Sequence, residues 1–194
     1  MKATGIICEY NPFHNGHIYH LNKVKELNKD NCIILVMSSY FMQRGEVNIL
    51  NKWDRTSIAL LYGVDIVVEL PFVFATQSAD TFAYGGISLL NYLKVDNIVF
   101  GSETSDINEL TEIANIQNSS NYNMSVKKYL DKGLNYPTSM SKALYELGLN
   151  KIDNPNDLLG ISYIKAINKL NSNITPIAIK RTNSYHNSDI NNSI

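Results

Sequence analysis

A chain of 194 residues, 44% hydrophobic and 18% charged, can form one domain with a sizeable core and is globular, not disordered, in composition. Its net charge of −1 excludes a whole-domain electrostatic footprint for nucleic acid, so an RNA partner would need a local patch or another domain for most phosphate contacts. No apolar run approaches the ~20 residues that span a membrane, and the stretch Ala3 to Cys8 ends at a polar turn, not at a secretory cleavage site.

In chain order, Ala3 to Cys8 reads as a buried strand. Ile18, Leu21, Val24 and Leu27 recur at helical spacing and predict a helix from Gly16 to Leu27. Cys32 to Met37 is a continuous apolar run, the pattern of a central parallel strand. Cys8 and Cys32 both sit in strand-like runs and read as buried thiols of a reducing, cytoplasmic setting. A helix is predicted over Lys52 to Tyr62 with Trp53, Leu60 and Leu61 inward. Asp65 to Leu70 reads as a strand stopped by Pro71. Ser78 to Leu93 is the next helix, burying Phe82, Leu89, Leu90 and Leu93, and Asn97 to Phe100 a short fourth strand. Ile107 to Ile116, Ser125 to Leu130, Ser139 to Leu147 and Asp157 to Leu170 read as helices with polar, Asn-rich joints. Ile174 to Ile179 predicts a last strand, and Ser184 to Ile194 is a polar tail without periodicity.

This alternation argues for right-handed βαβ units, hence an α/β, Rossmann-like doubly wound parallel sheet with helical C-terminal additions. A catalytic domain is expected over 1–183 and a tail over 184–194. Ligands of such sheets sit at the carboxyl ends of the strands, near the switch point. That rule singles out Glu9 to His17, Ser38 to Glu46, Glu69 to Gln77 and Gly101 to Glu103.

The first of these segments carries the chemistry. Asn11-Pro12 forces a turn after the first strand. Asn15 can cap the following helix, and Gly16 lets backbone approach a ligand. The helix N-terminus is expected to offer unpaired N–H groups and a positive dipole end, which suits phosphate. His14 and His17 add donors that can follow charge shifting among phosphate oxygens, as attack on an α-phosphate requires. His14, His17 and His20 do not by themselves complete a zinc site, so no metal ligand is assigned to them.

His-x-Gly-His after a first strand resembles the signature of the nucleotidylyl transferase superfamily. The blocks Gly5 to His17, Met37 to Glu46, Lys52 to Arg55, Val68 to Asp80, Phe100 to Glu103, Pro155 to Gly160 and Lys180 to His186 together resemble the bacterial tRNA(Met) cytidine acetate ligase family. The resemblance implies ATP-dependent activation of acetate to acetyl-adenylate. Acetyl transfer to the exocyclic amine of the wobble cytidine in elongator tRNA(Met) then follows. It implies catalytic roles for His14 and His17, and an ATP loop of Ile7, Cys8, Glu9, Tyr10, Asn11, Pro12, Phe13, His14, Asn15, Gly16, His17, Ile18, Tyr19 and His20. Further nucleotide contacts map onto Gly101, Asn156 and Arg181. The family's second, Ser-rich and Arg-ending block would follow Tyr185-His186, and its tRNA-binding C-terminal domain would lie beyond. The chain is therefore expected to be a truncated form or one natural fragment, to bind ATP weakly and to acetylate tRNA poorly or not at all.

Other residues stay open between two roles. Arg44, Lys52 and Arg55 either help hold triphosphate or RNA or are solvated. Glu69 and Asp80 either hold Mg²⁺ with the triphosphate oxygens or support their loop. Tyr10 and Tyr40 follow strand ends and could line the site. A small-molecule adenylyltransferase, or a non-catalytic nucleotide- or RNA-binding module, are the competing readings.

Overall fold

The computed structural model describes residues 2–149 and 154–181. Along the chain come β1 (Ala3–Cys8), α1 (Asn15–Leu27), β2 (Cys32–Ser38), α2 (Lys52–Leu61), β3 (Ile66–Leu70), a short α3 (Phe72–Ala75), α4 (Ala79–Tyr92) and β4 (Asn97–Ser102). They are followed by α5 (Ile107–Gln117), α6 (Ser120–Leu130), α7 (Tyr136–Glu146), α8 (Pro155–Lys169) and β5 (Thr175–Lys180). The strands form one parallel sheet in the order β3-β2-β1-β4-β5. The doubly wound α/β expectation holds. The tail over 184–194 lies outside the described residues.

Strand alternation explains the two cores. In β2, Ile33, Leu35 and Met37 point to one face and Ile34 and Val36 to the other, and all are buried. The first face packs against Leu21 and Val24 of α1 and Ala59 of α2. The second packs against Phe82, Ile87 and Leu90 of α4, Leu110 and Ile113 of α5, and Ile161 and Ile164 of α8. Each such aliphatic side chain contributes about 1.5–3 kcal/mol by leaving water. Among the described residues no helix is long and apolar enough to cross a membrane.

The sheet order places the switch point at β1. That strand pairs with β2 from Ala3 to Cys8, but with β4 only at Thr4 and Gly5. Beyond Gly5 the carboxyl ends of β1 and β4 part, and a cleft opens between them.

Several local expectations are corrected. Trp53, Leu60 and Leu61 do not face inward; they are 67%, 45% and 85% exposed. The face that α2 buries is Arg55 and Ala59, because the Arg55 guanidinium is drawn to backbone carbonyls at the strand ends. Leu27 and Leu93 end their helices and are exposed as well. Helices α6 and α7 start earlier than their apolar periodicity suggests. Their caps set the start: Ser119 accepts from the Tyr122 N–H and Asn135 from the Thr138 N–H.

Candidate active site

The end of β1 delivers Glu9 and Tyr10 to the cleft. Tyr10 is buried with φ of +49°, a left-handed conformation that bulky residues rarely adopt and that clusters at functional sites. Its ring meets Phe13 edge-on at 4.9 Å and lies 4.6 Å from the His17 imidazole, which it braces from below. The Tyr10 hydroxyl has no hydrogen-bond partner among the described residues. The Glu9 side chain accepts from the Gln43 N–H at 2.6 Å, and burial raises its carboxyl above the usual range. Asn11 reaches the same loop, accepting from the Ile49 N–H at 2.6 Å. The segment after β1 is thus tied to the segment after β2.

The two signature histidines form a reciprocal cap at the start of α1. His14, not Asn15, is the N-cap: its Nδ1 accepts from the Gly16 N–H at 3.1 Å. His17 Nδ1 accepts from the His14 N–H at 3.3 Å. Asn15 is already the first helical residue. The rings stack with centroids 3.8 Å apart and planes 28° from parallel. Because both Nδ1 atoms accept, each neutral ring carries its proton on Nε2, which is left to donate. The expected supply of unpaired N–H groups is largely used internally. The His17 and Ile18 N–H groups donate to the His14 carbonyl, and Gly16 to the His14 ring. The anion-facing donors of this helix end are therefore mainly imidazoles.

Burial lowers the pKa of all three histidines of the segment. It acts on His14 together with the Arg181 charge, and brings His20 to about 4. His17 falls to about 3 through burial and the neighbouring His14, His20 and Arg181. The rings are neutral donors at neutral pH. Protons bind the unfolded chain first, near pH 6.5, and the folded chain only near the lowered values. The stabilising preference for neutral rings is whole above about pH 6.5 and is lost as pH falls toward 4 and then 3. Thermal melts across that window should show stability falling with pH, and His20→Gln should flatten the profile. A variant profile as steep as the wild type would refute this.

The histidines line a cavity of about 1110 Å³ between β1 and β4. Of the expected loop residues, Phe13 and Ile18 do not line it; Phe13 packs on Tyr10 and on Tyr62 instead. Gly101, Asn156 and Arg181 line its opposite wall. A Cβ at Gly101 would sit 3.3 Å from Arg181 Cγ, so the bare backbone lets the arginine stem lie across it. Arg44 lines the cavity, whereas Lys52, Arg55 and Tyr40 do not. Lys52 pairs with Glu69 at 2.6 Å and lies 5.2 Å from the Tyr40 ring. Asp80 accepts from Ser162 at 2.8 Å and Lys165 at 2.7 Å. Glu69 and Asp80 therefore support the fold and do not face the cavity. A second hollow, about 800 Å³, lies at the amino ends of the strands, away from the histidines.

Two groups take roles that the sequence reading did not give them. Arg55 is fully buried and donates from Nη1 to the Glu9 carbonyl at 2.6 Å, from Nε to the Leu50 carbonyl at 3.2 Å, and from Nη2 to the Ser39 carbonyl. It staples the ends of β1 and β2 to the start of α2. Glu103 lies behind the far wall. Its Oε1 accepts from Asn156 Nδ2 at 2.6 Å, and its Oε2 from the Asp157 N–H at 3.1 Å. The buried Asp157 carboxylate in turn accepts from Ser102 Oγ and from the Glu103 N–H at 3.0 Å. Glu103 was marked in advance by its position after a strand and by the block Phe100 to Glu103, and Arg55 by the block Lys52 to Arg55. Arg55 is neither a phosphate contact nor solvated, since it is buried on backbone carbonyls.

Comparison with known proteins gives the family and the fold of this chain. Over about 96% of its length the chain is 50% identical to tRNA(Met) cytidine acetate ligase of Caldicellulosiruptor saccharolyticus, and it covers 48% of that protein. With the Clostridium novyi protein of the same name it shares 47% identity over 97% of the chain and 50% of the relative. The chain thus spans about half the length of the curated relatives it matches. A crystal structure of Thermotoga maritima TmcAL bound with alpha-thio ATP superposes with a TM-score of 0.89 at 42% identity, over 94% of this chain and 47% of that one. The HIGH Nucleotidyl Transferase family matches residues 1–194. With its sheet, its histidine pair and this full-length match, the chain belongs to the HIGH nucleotidyl transferase family.

Proposed function

We propose that this chain is the nucleotide-activating part of a tRNA(Met) cytidine acetate ligase. In this reading ATP binds the cavity between β1 and β4. A carboxylate oxygen of acetate attacks the α-phosphorus, the bond to the bridging oxygen breaks, and pyrophosphate leaves with that electron pair. The acetyl-adenylate then gives its acetyl group to N4 of the wobble cytidine of elongator tRNA(Met), releasing AMP. The stacked His14–His17 pair at the α1 N-terminus carries this reading. Two neutral Nε2–H donors, with the helix dipole behind them, suit charge that grows on phosphate oxygens in the transition state. The relatives' shared name and the alpha-thio ATP bound to TmcAL support the choice of substrates.

Mg²⁺ fits as a companion of the nucleotide. Among the described residues no group of three metal-ligating side chains is present. Glu9 and Glu46 line the cavity, and Mg²⁺ is commonly held by one or two carboxylates plus phosphates. With 17 Lys and Arg offset by 18 Asp and Glu, this chain offers no cationic excess for tRNA. We place most tRNA binding in the part of the relatives that it does not span, and expect weak or no acetylation of tRNA by this chain alone.

The deciding measurement is ATP–pyrophosphate exchange. Exchange that requires acetate supports the proposal. Exchange that ignores acetate but answers to a phosphorylated acceptor would instead mark a small-molecule adenylyltransferase. Absence of ATP binding by calorimetry would leave a non-catalytic module. Gly16→Ala gives a local check. Its Cβ would lie 2.9 Å from His14 Cε1, so the ring must move. Stability should stay within about 1 kcal/mol, since alanine favours helix, while ATP affinity falls at least about tenfold through the displaced donor.

A further inference from the structure

We propose that Glu103 is a positioning residue that locks Asn156 and Arg181 into one clamp on the nucleotide. The inference rests on the ATP reading above. Asn156 and Arg181 line the cavity and Glu103 does not, so Glu103 acts only through them. Its carboxylate, on a side chain only 17% exposed, uses both oxygens: Oε1 for Asn156 Nδ2 at 2.6 Å, Oε2 for the Asp157 N–H at 3.1 Å. Arg181 closes the ring. Its Nε lies 3.8 Å from Glu103 Oε1, and its Nη1 donates to Asn156 Oδ1 at 3.4 Å.

The donor and acceptor logic is strict. A carboxylate accepts only, so it must face the Asn156 NH₂; a guanidinium donates only, so it must face the Asn156 oxygen. The two demands agree, and the amide has one orientation. That orientation aims the guanidinium, which lies across Gly101, along the cavity wall. The Glu103 backbone is itself held by the buried Asp157, so the whole assembly is fixed to the junction of β4 and α8.

Glu103→Gln tests the role without changing side-chain size. The glutamine has one acceptor oxygen for two donors. Its NH₂ group meets either the Asp157 N–H or the Asn156 NH₂, and a flipped Asn156 would turn a donor toward Arg181. Three accounts then differ in sign. If Glu103 positions the clamp, ATP binding by calorimetry weakens about tenfold, as for a lost charge-assisted hydrogen bond. If Glu103 is only a negative charge near an anion, its removal tightens ATP binding. If it only caps α8, the melting temperature drops and the ATP dissociation constant holds. The second and third outcomes overturn the proposal. In an Asn156→Ala, Arg181→Ala background Glu103→Gln should have no further effect on ATP affinity; a full tenfold effect there also overturns it. Glu103→Asp keeps the charge but shortens the reach, and should weaken ATP binding too. If the wild-type chain does not bind ATP, the nucleotide reading falls and the clamp with it. If the wild type binds and both variants bind equally well, the clamp alone falls.

Discussion

Arg55→Ala should lower the unfolding free energy by about 3–5 kcal/mol, the scale of two buried carbonyls left without a donor together with a large-to-small void. The cost has a specific source. The Glu9 and Leu50 carbonyls lose their guanidinium donor, while Ser39 keeps the Asn48 amide at 3.0 Å. A void the size of the fully buried side chain is left as well. Arg55→Lys should recover only part of the loss, because an ammonium is a point donor and cannot span carbonyls from three segments. Urea unfolding followed by circular dichroism reads both values. A change below about 1 kcal/mol for Arg55→Ala would mean that the three segments are held together by other contacts. The variant should also loosen the cavity, since Glu9 follows β1 directly.

For His14→Ala and His17→Ala, acetate-dependent ATP–pyrophosphate exchange should fall by about 10²–10³-fold each, the usual cost of one transition-state donor. The double variant should be little worse than either single one. Each ring's Nδ1 holds an N–H of the same turn and each stacks on the other, so losing one misplaces its partner. His14→Ala also removes a helix cap, worth about 1 kcal/mol. His14→Asn separates the two effects, because asparagine caps a helix well but lacks the Nε2–H. It should restore the melting temperature and leave the exchange rate low. Recovery of exchange by His14→Asn would show that the ring matters for the helix and not for the reaction.

Local signals carried much of the architecture. Runs such as Cys32 to Met37 and the spacing of Leu21 and Val24 report burial through a two- or 3.6-residue period, and the strands and α1 lie where that period puts them. Periodicity fails where it cannot say which face is dry. Trp53, Leu60 and Leu61 do share one stripe of α2, but the opposite stripe is buried because it carries Arg55. The histidine pair was legible because its geometry is local: a strand end, a cap and one helical turn place both rings.

The sequence by itself determined a doubly wound α/β sheet and a helix bearing the histidine pair at the end of its first strand, because both follow from residues a few positions apart, although the cap fell to His14 and not to Asn15. Tertiary structure alone decided the rest. It parted β1 from β4 after Gly5 and brought Gly101, Asn156 and Arg181 across from the histidines. It also set Arg55 and Glu103 behind the walls, where each acts on groups distant in the chain: Arg55 46 residues from Glu9, and Glu103 53 from Asn156. Hydrogen bonds over such separations leave no periodic trace, since their partners are neighbours only once the chain has folded.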